Sequence, residues 1–202
     1  MKKYVAFLFC FIGLPFLLMV GATQSVYAVP IEYIADLNGA SEEPPNASPG
    51  TGFAKDDFDI DAHTMYVHVE FSGLLGTTTA SHIHGPTALP GIGNAGVATQ
   101  TPSFLGFPLG VTSGTYDHSF WTDDSTTYNP AFITAQGSVA AAEEALALAL
   151  EQGKAYLNIH TTFRPGGEIR GFLAQPVPEP STMLLLGSGL IGLAGLRKKF
   201  KK

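Results

Sequence analysis

Apolar and polar positions alternate along much of this chain. Over 65–71, Val67, Val69 and Phe71 fall on one side while Tyr66, His68 and Glu70 fall on the other, which is the period of a half-buried strand. Over 53–60 the same alternation sets Phe58 and Ile60 between Asp57, Asp59 and Asp61, predicting a strand with one apolar and one acidic face. Asp61, Ala62 and His63 then supply a tight turn, so the two strands should form a hairpin. Further strands are predicted over 31–37, 78–84, 154–160 and 168–173, with weaker ones over 97–99 and 114–121. The stretches 38–52 and 85–96 are rich in turn formers and read as loops. Over 138–152 the period changes. Ser138 can cap a helix, 140–150 are strong helix formers, Leu146 and Leu150 share a face, and Gly153 is placed to end it. The pattern predicts a mainly β protein, an antiparallel sandwich or barrel with one short helix near 139–152.

The two ends break the pattern. Lys2 and Lys3 precede an apolar run over 4–20, interrupted only by Gly13 and Pro15, and Val26-Tyr27-Ala28 brings small residues to a cut after Ala28. This is a signal peptide over 1–28. An uncleaved anchor is the alternative, and Pro15 with the small-residue segment favours cleavage. Cys10, the single cysteine, lies deep in the apolar run behind Phe9, which argues against lipidation. At the other end, Pro178-Glu179-Pro180 stands before an apolar run over 183–196, and Arg197, Lys198, Lys199, Lys201 and Lys202 close the chain. The run is shorter than the roughly 20 residues of a stable span and rich in glycine, so it suits a temporary transmembrane stop. The basic end resists crossing. This tail, 177–202, resembles the PEP-CTERM sorting signal of Gram-negative bacteria. The resemblance implies processing by exosortase, a membrane protease, near the motif, with passage through the membrane during sorting and delivery to the cell surface or outside. It also implies an association with exopolysaccharide and biofilm matrix.

Removing both ends changes the charge. The whole chain carries −6, but 16 acids and only four bases (Lys55, Lys154, Arg164 and Arg170) fall within 29–176, leaving that body at −12. Such a body lacks a phosphate-neutralising patch, which excludes nucleic acid as a partner, and it should attract cations. It has no cysteine, so an exported domain must rest on its core rather than on disulfides.

The body also resembles the CHRD domain. The matching pieces run in order over 31–173: Ala35-Asp36-Leu37-Asn38-Gly39 with Glu43-Pro44-Pro45, Ser81-His82-Ile83-His84-Gly85-Pro86, then Ala155-Tyr156-Leu157-Asn158-Ile159-His160 and Pro165-Gly166-Gly167-Glu168-Ile169-Arg170-Gly171. The resemblance implies an immunoglobulin-like β architecture and brings no activity with it. The segments 104–110 and 123–124 depart from the pattern.

His82, His84 and His160 are the sharpest candidate chemistry. Residues two apart on a strand face the same side, so His82 and His84 can ligate one ion, and His160 ends another strand with Asn158 and Tyr156 on its face. Neutral imidazoles suit zinc or copper. The alternative is structural: histidines that hydrogen-bond turns, Glu168 or Arg170. Asp57, Asp59 and Asp61 imitate the start of a calcium loop, but Ala62 replaces the needed glycine and His68 the needed glutamate, so a solvated strand face is the better account. Glu168 and Arg170 share a face and suggest a cross-strand ion pair with a neighbour, more often structural than catalytic. Trp121, near Tyr116 and Tyr128, is a possible sugar platform or an ordinary aromatic. Gly91-Ile92-Gly93-Asn94-Ala95-Gly96 has the outline of a dinucleotide loop but opens no helix, and the sequence holds no nucleophile elbow, phosphate loop or zincin helix. No catalytic residue is assigned. Two function classes stay open: a non-enzymatic surface or matrix module that binds a polymer, a protein or an ion, and a zinc- or copper-dependent redox enzyme on the three histidines.

Overall fold

The structure is a computed structural model that describes residues 29–177 and Ser188. The cut after Ala28, the Pro178-Glu179-Pro180 motif and most of the apolar run over 183–196 lie outside the described residues. Among the described residues no helix is long and apolar enough to cross a membrane.

Seven antiparallel strands form one curled sheet. They are β1 (Ile31–Asn38), β2 (Thr51–Asp59), β3 (Thr64–Ser72), β4 (Thr78–His84), β5 (Gly114–Trp121), β6 (Tyr156–Thr161) and β7 (Ile169–Phe172). Their order in the sheet is β4-β6-β7-β1-β2-β3-β5. The mainly β antiparallel architecture is therefore as the pattern predicts. The β2–β3 hairpin closes where expected, with Asp59 Oδ1 accepting from the N–H groups of Asp61 and Ala62 at 3.1 and 2.9 Å. The inward face of β2 is the one expected from Phe58, but it carries an acid and loses Ile60. Ala54, Asp56 and Phe58 are buried, whereas Ile60 falls beyond the strand end and is exposed.

Two helices follow β5 rather than one: α1 (Pro130–Gln136) and α2 (Val139–Glu151). The punctuation of α1 is local. Asn129 caps it through Ala131 N–H, Pro130 opens it, and Gly137 ends it at a φ of 98° that favours glycine. α2 starts as predicted, with Ser138 Oγ accepting from Ala141 N–H at 3.1 Å. The expected strand over 97–99 reduces to single bridges, Val97 to His84 and Thr99 to Tyr128, and the N–H groups of Ala98 and Thr99 both point to the Ile83 carbonyl, which breaks a regular ladder.

One hydrophobic core fills the hollow of the sheet. Leu37, Met65, Val67, Ile83, Leu157, Ile159 and Ile169 enter it from the strands, and Phe132, Leu146 and Leu150 from the helices. Phe104 and Phe107, from the segment that departs from the family pattern, stack on Tyr116 and Phe71 at ring-centroid distances of 5.8 and 5.5 Å. Because strand residues alternate, the partners of these core positions face the other way. On β4 and β6 those partners are His82, His84, Tyr156, Asn158 and His160.

Candidate metal centre

The register of β4 on β6 builds the centre. Ala80 pairs with His160, His82 with Asn158 and His84 with Tyr156, so the three histidines share one face of two neighbouring strands. One ring nitrogen of each lies within 4.8 Å of the other two. The rings stand 4.9 Å (His82–His84), 4.7 Å (His82–His160) and 5.7 Å (His84–His160) apart. Two nitrogens on one tetrahedral zinc, at about 2.0–2.1 Å from it, are about 3.3 Å apart, so small ring rotations close the site.

Hydrogen bonds fix which nitrogens are free. His84 Nδ1 is 2.9 Å from the Ala95 carbonyl, and His160 Nδ1 is 2.9 Å from the Pro165 carbonyl. A carbonyl only accepts, so both Nδ1 atoms carry the proton and both Nε2 atoms keep a lone pair. His84 Nε2, His160 Nε2 and His82 Nδ1 are all buried without a hydrogen-bond partner. A buried polar atom left unpaired costs about 1–3 kcal/mol, and three on rings this close together make a donor set for a metal ion. Burial depresses all three imidazoles. Desolvation, followed by the neighbouring His160 and His84, takes His82 down to about 3. Desolvation takes His84 to about 4 against the opposing Ala95 bond, and it lowers His160. All three are neutral at pH 7, the form that binds a metal.

Loops roof this face, and Arg170 clasps them. Its Nε donates to the Ser41 carbonyl at 2.5 Å and its Nη1 to Asn94 Oδ1 at 2.7 Å, while Asn94 Nδ2 reaches the Glu43 carbonyl at 3.2 Å. The guanidinium lies 4.7 Å over the Tyr156 ring, and Tyr156 stacks on His84 at 4.8 Å and 5°. Ala95 accepts from His84, and its N–H donates to Tyr156 Oη at 3.2 Å. The glycine-rich loop over 91–96, no dinucleotide site, thus supplies the groups that orient His84. Glu42, buried 3.8 Å from Arg170, has its carboxyl pushed up to about 7 by burial, partly offset by that cation. Gly167, at a φ of 132°, leaves room that a Cβ would fill at 2.7 Å from Glu42 Oε1 and Asn158 Oδ1, two further buried acceptors without partners.

Other sequence candidates separate. His84 and His160 bond the loop carbonyls of Ala95 and Pro165, not Glu168 or Arg170. Arg170 pairs with Glu42 rather than with a residue on a neighbouring strand, and Glu168 is held by neutral donors: it accepts from Ser48 Oγ, Thr161 Oγ1 and the N–H groups of Leu75 and Gly76. Burial raises its pKa, but these donors outweigh that and hold it below the ordinary carboxylate value. Asp57 pairs with Lys55 at 3.0 Å and Asp59 is spent on the turn, so the acidic triplet forms no calcium loop. Trp121 is exposed, while Tyr116 and Tyr128 are buried, so no aromatic platform forms. Sequence reasoning missed Asn94, Ala95 and Pro165, which act through backbone or loop geometry. Arg170, a rare base in an acidic body and 2% exposed, was the available signal.

The CHRD domain family model matches residues 33–173, and the model of the PEP-CTERM protein-sorting motif matches 176–199. No curated protein matches the chain, and no solved structure does. The sorting motif marks an exported protein processed by exosortase, a membrane protease, and held transiently in the membrane by its C-terminal segment.

Proposed function

We propose that this chain, which belongs to the CHRD domain family, is a non-enzymatic binding module outside the cell whose ligand is a transition-metal ion held by His82, His84 and His160. The observation that carries this reading is the set of three buried, unpartnered ring nitrogens on one sheet face. The residues fit zinc or copper: neutral nitrogens, two of them aimed by backbone carbonyls, as metal-ligating histidines commonly are. The same residues fit calcium and magnesium poorly, since those ions take oxygen donors. The acidic body concentrates cations near the domain.

In this reading the signal peptide is cut after Ala28 and exosortase cuts near Pro178-Glu179-Pro180. The released domain resides at the surface or in an exopolysaccharide matrix, where the module contributes bound metal or metal-dependent cohesion. A redox enzyme on the same histidines is the competing reading, and turnover by the copper-loaded protein would favour it. The test is titration of zinc and copper into metal-stripped protein, beside His160→Ala. One ion per chain in the parent and none in the variant is expected. No binding by the parent, or equal binding by the variant, ends the reading.

A further inference from the structure

We infer that the three-histidine centre is built for a singly charged ion, Cu(I), in preference to a dication. This rests on the reading that the histidines hold a metal, and it names which one.

The first argument is charge. The donor set sums to zero, because the cluster contains no carboxylate and no thiolate. Asn158, opposite His82, offers only a neutral oxygen. The formal charge stacked behind the centre is positive: Arg170 over Tyr156, and Tyr156 over His84. The cost of moving an ion from water into a poorly polarisable site grows with the square of its charge, so a dication costs about four times what a monocation does. His82 and His84 are 6% and 8% exposed, which puts this cost in full force. A buried site meant for a dication ordinarily recruits an anion among its ligands, whereas the Glu42 carboxyl near this face lies 3.8 Å from Arg170 and outside the donor set.

The second argument is coordination number. Structural zinc takes four protein ligands, and catalytic zinc takes three plus a water. Here three nitrogens converge beneath a roof of loops held by Arg170, among residues that supply no fourth histidine, cysteine or carboxylate to the cluster. A filled-shell monocation is satisfied by three nitrogens in a plane and needs no water. The unpaired atoms therefore match the demand of Cu(I) in number as well as in charge.

Metal-stripped protein should be titrated with Cu(I) under ascorbate without oxygen, against a chromophoric Cu(I) chelator, and separately with Zn(II) against a zinc chelator. One Cu(I) per chain is expected, bound at least about 100-fold tighter than Zn(II). Arg170→Met, checked for folding by circular dichroism, should narrow that gap by strengthening Zn(II). Zinc bound as tightly as Cu(I), or tighter, overturns this inference and leaves the metal reading standing. Binding of neither ion overturns both.

Discussion

His82 and His84 sit on opposite sides of a core residue, Ile83, and take their character from that position. Burial favours the neutral ring, so their folded pKa values fall below the ordinary 6.5. Each contributes stability that is full above the unfolded pKa and declines as pH falls from there towards about 3 or 4. In metal-free protein their ring resonances should therefore stay at the neutral position at pH 5 by NMR titration, and a midpoint near 6.5 would contradict the burial argument. Asp56 has the opposite sign. Burial, then the nearby Asp57, raises its pKa well above 3.8, and neither oxygen has a partner. The protonated form is stable in the core, so stability is lost as pH rises from the unfolded value through the folded one. Asp56→Asn should raise Tm at pH 8 by several degrees, with the gain shrinking towards pH 4. The histidine spacing was legible in the sequence because period two fixes a strand face. Asp56 shares a face with Phe58 by the same period, but an unpaired carboxyl runs against the preference of that apolar face, and only its place opposite Val67 on β3 shows it inside.

At the scale of elements, the strands were legible wherever alternation or a turn residue marked them. β4 and β5 span the ranges expected from their sequence. α1 carried its own signals in Asn129, Pro130 and Gly137, but seven residues show too little periodicity to stand out. The roof over the histidines was hidden for another reason. Its contacts join residues far apart in the chain, such as Arg170 to Ser41 and Asn94, and no local pattern encodes them. Arg170→Ala should cost about 1.5–3 kcal/mol in denaturant unfolding, since it removes the charged donor to the Ser41 carbonyl and Asn94 and frees both loops. Leu146→Ala, fully buried in α2, should cost about 2–5 kcal/mol while leaving the histidine face intact. An Arg170→Ala unfolding midpoint equal to the parent's would end the clasp account, and loss of the folded histidine face in Leu146→Ala would end the separation of core from face.

The whole molecule combines an address with a candidate metal face. The address was readable from residue order alone, since a polar motif, an apolar run and a basic end act through composition. Intact-mass analysis of protein from the host should give a chain that starts at Val29 and lacks the basic end, and a mature form retaining Lys202 would refute the processing. The candidate metal face needed the fold, because His160 reaches the pair only through the β4–β6 register. X-ray absorption on metal-loaded protein tests the central claim most directly. The account predicts three nitrogen scatterers at about 2.0 Å with the outer-shell pattern of imidazole, and loss of that pattern in His82→Ala. An oxygen-only shell, or a spectrum unchanged by the substitution, would contradict it.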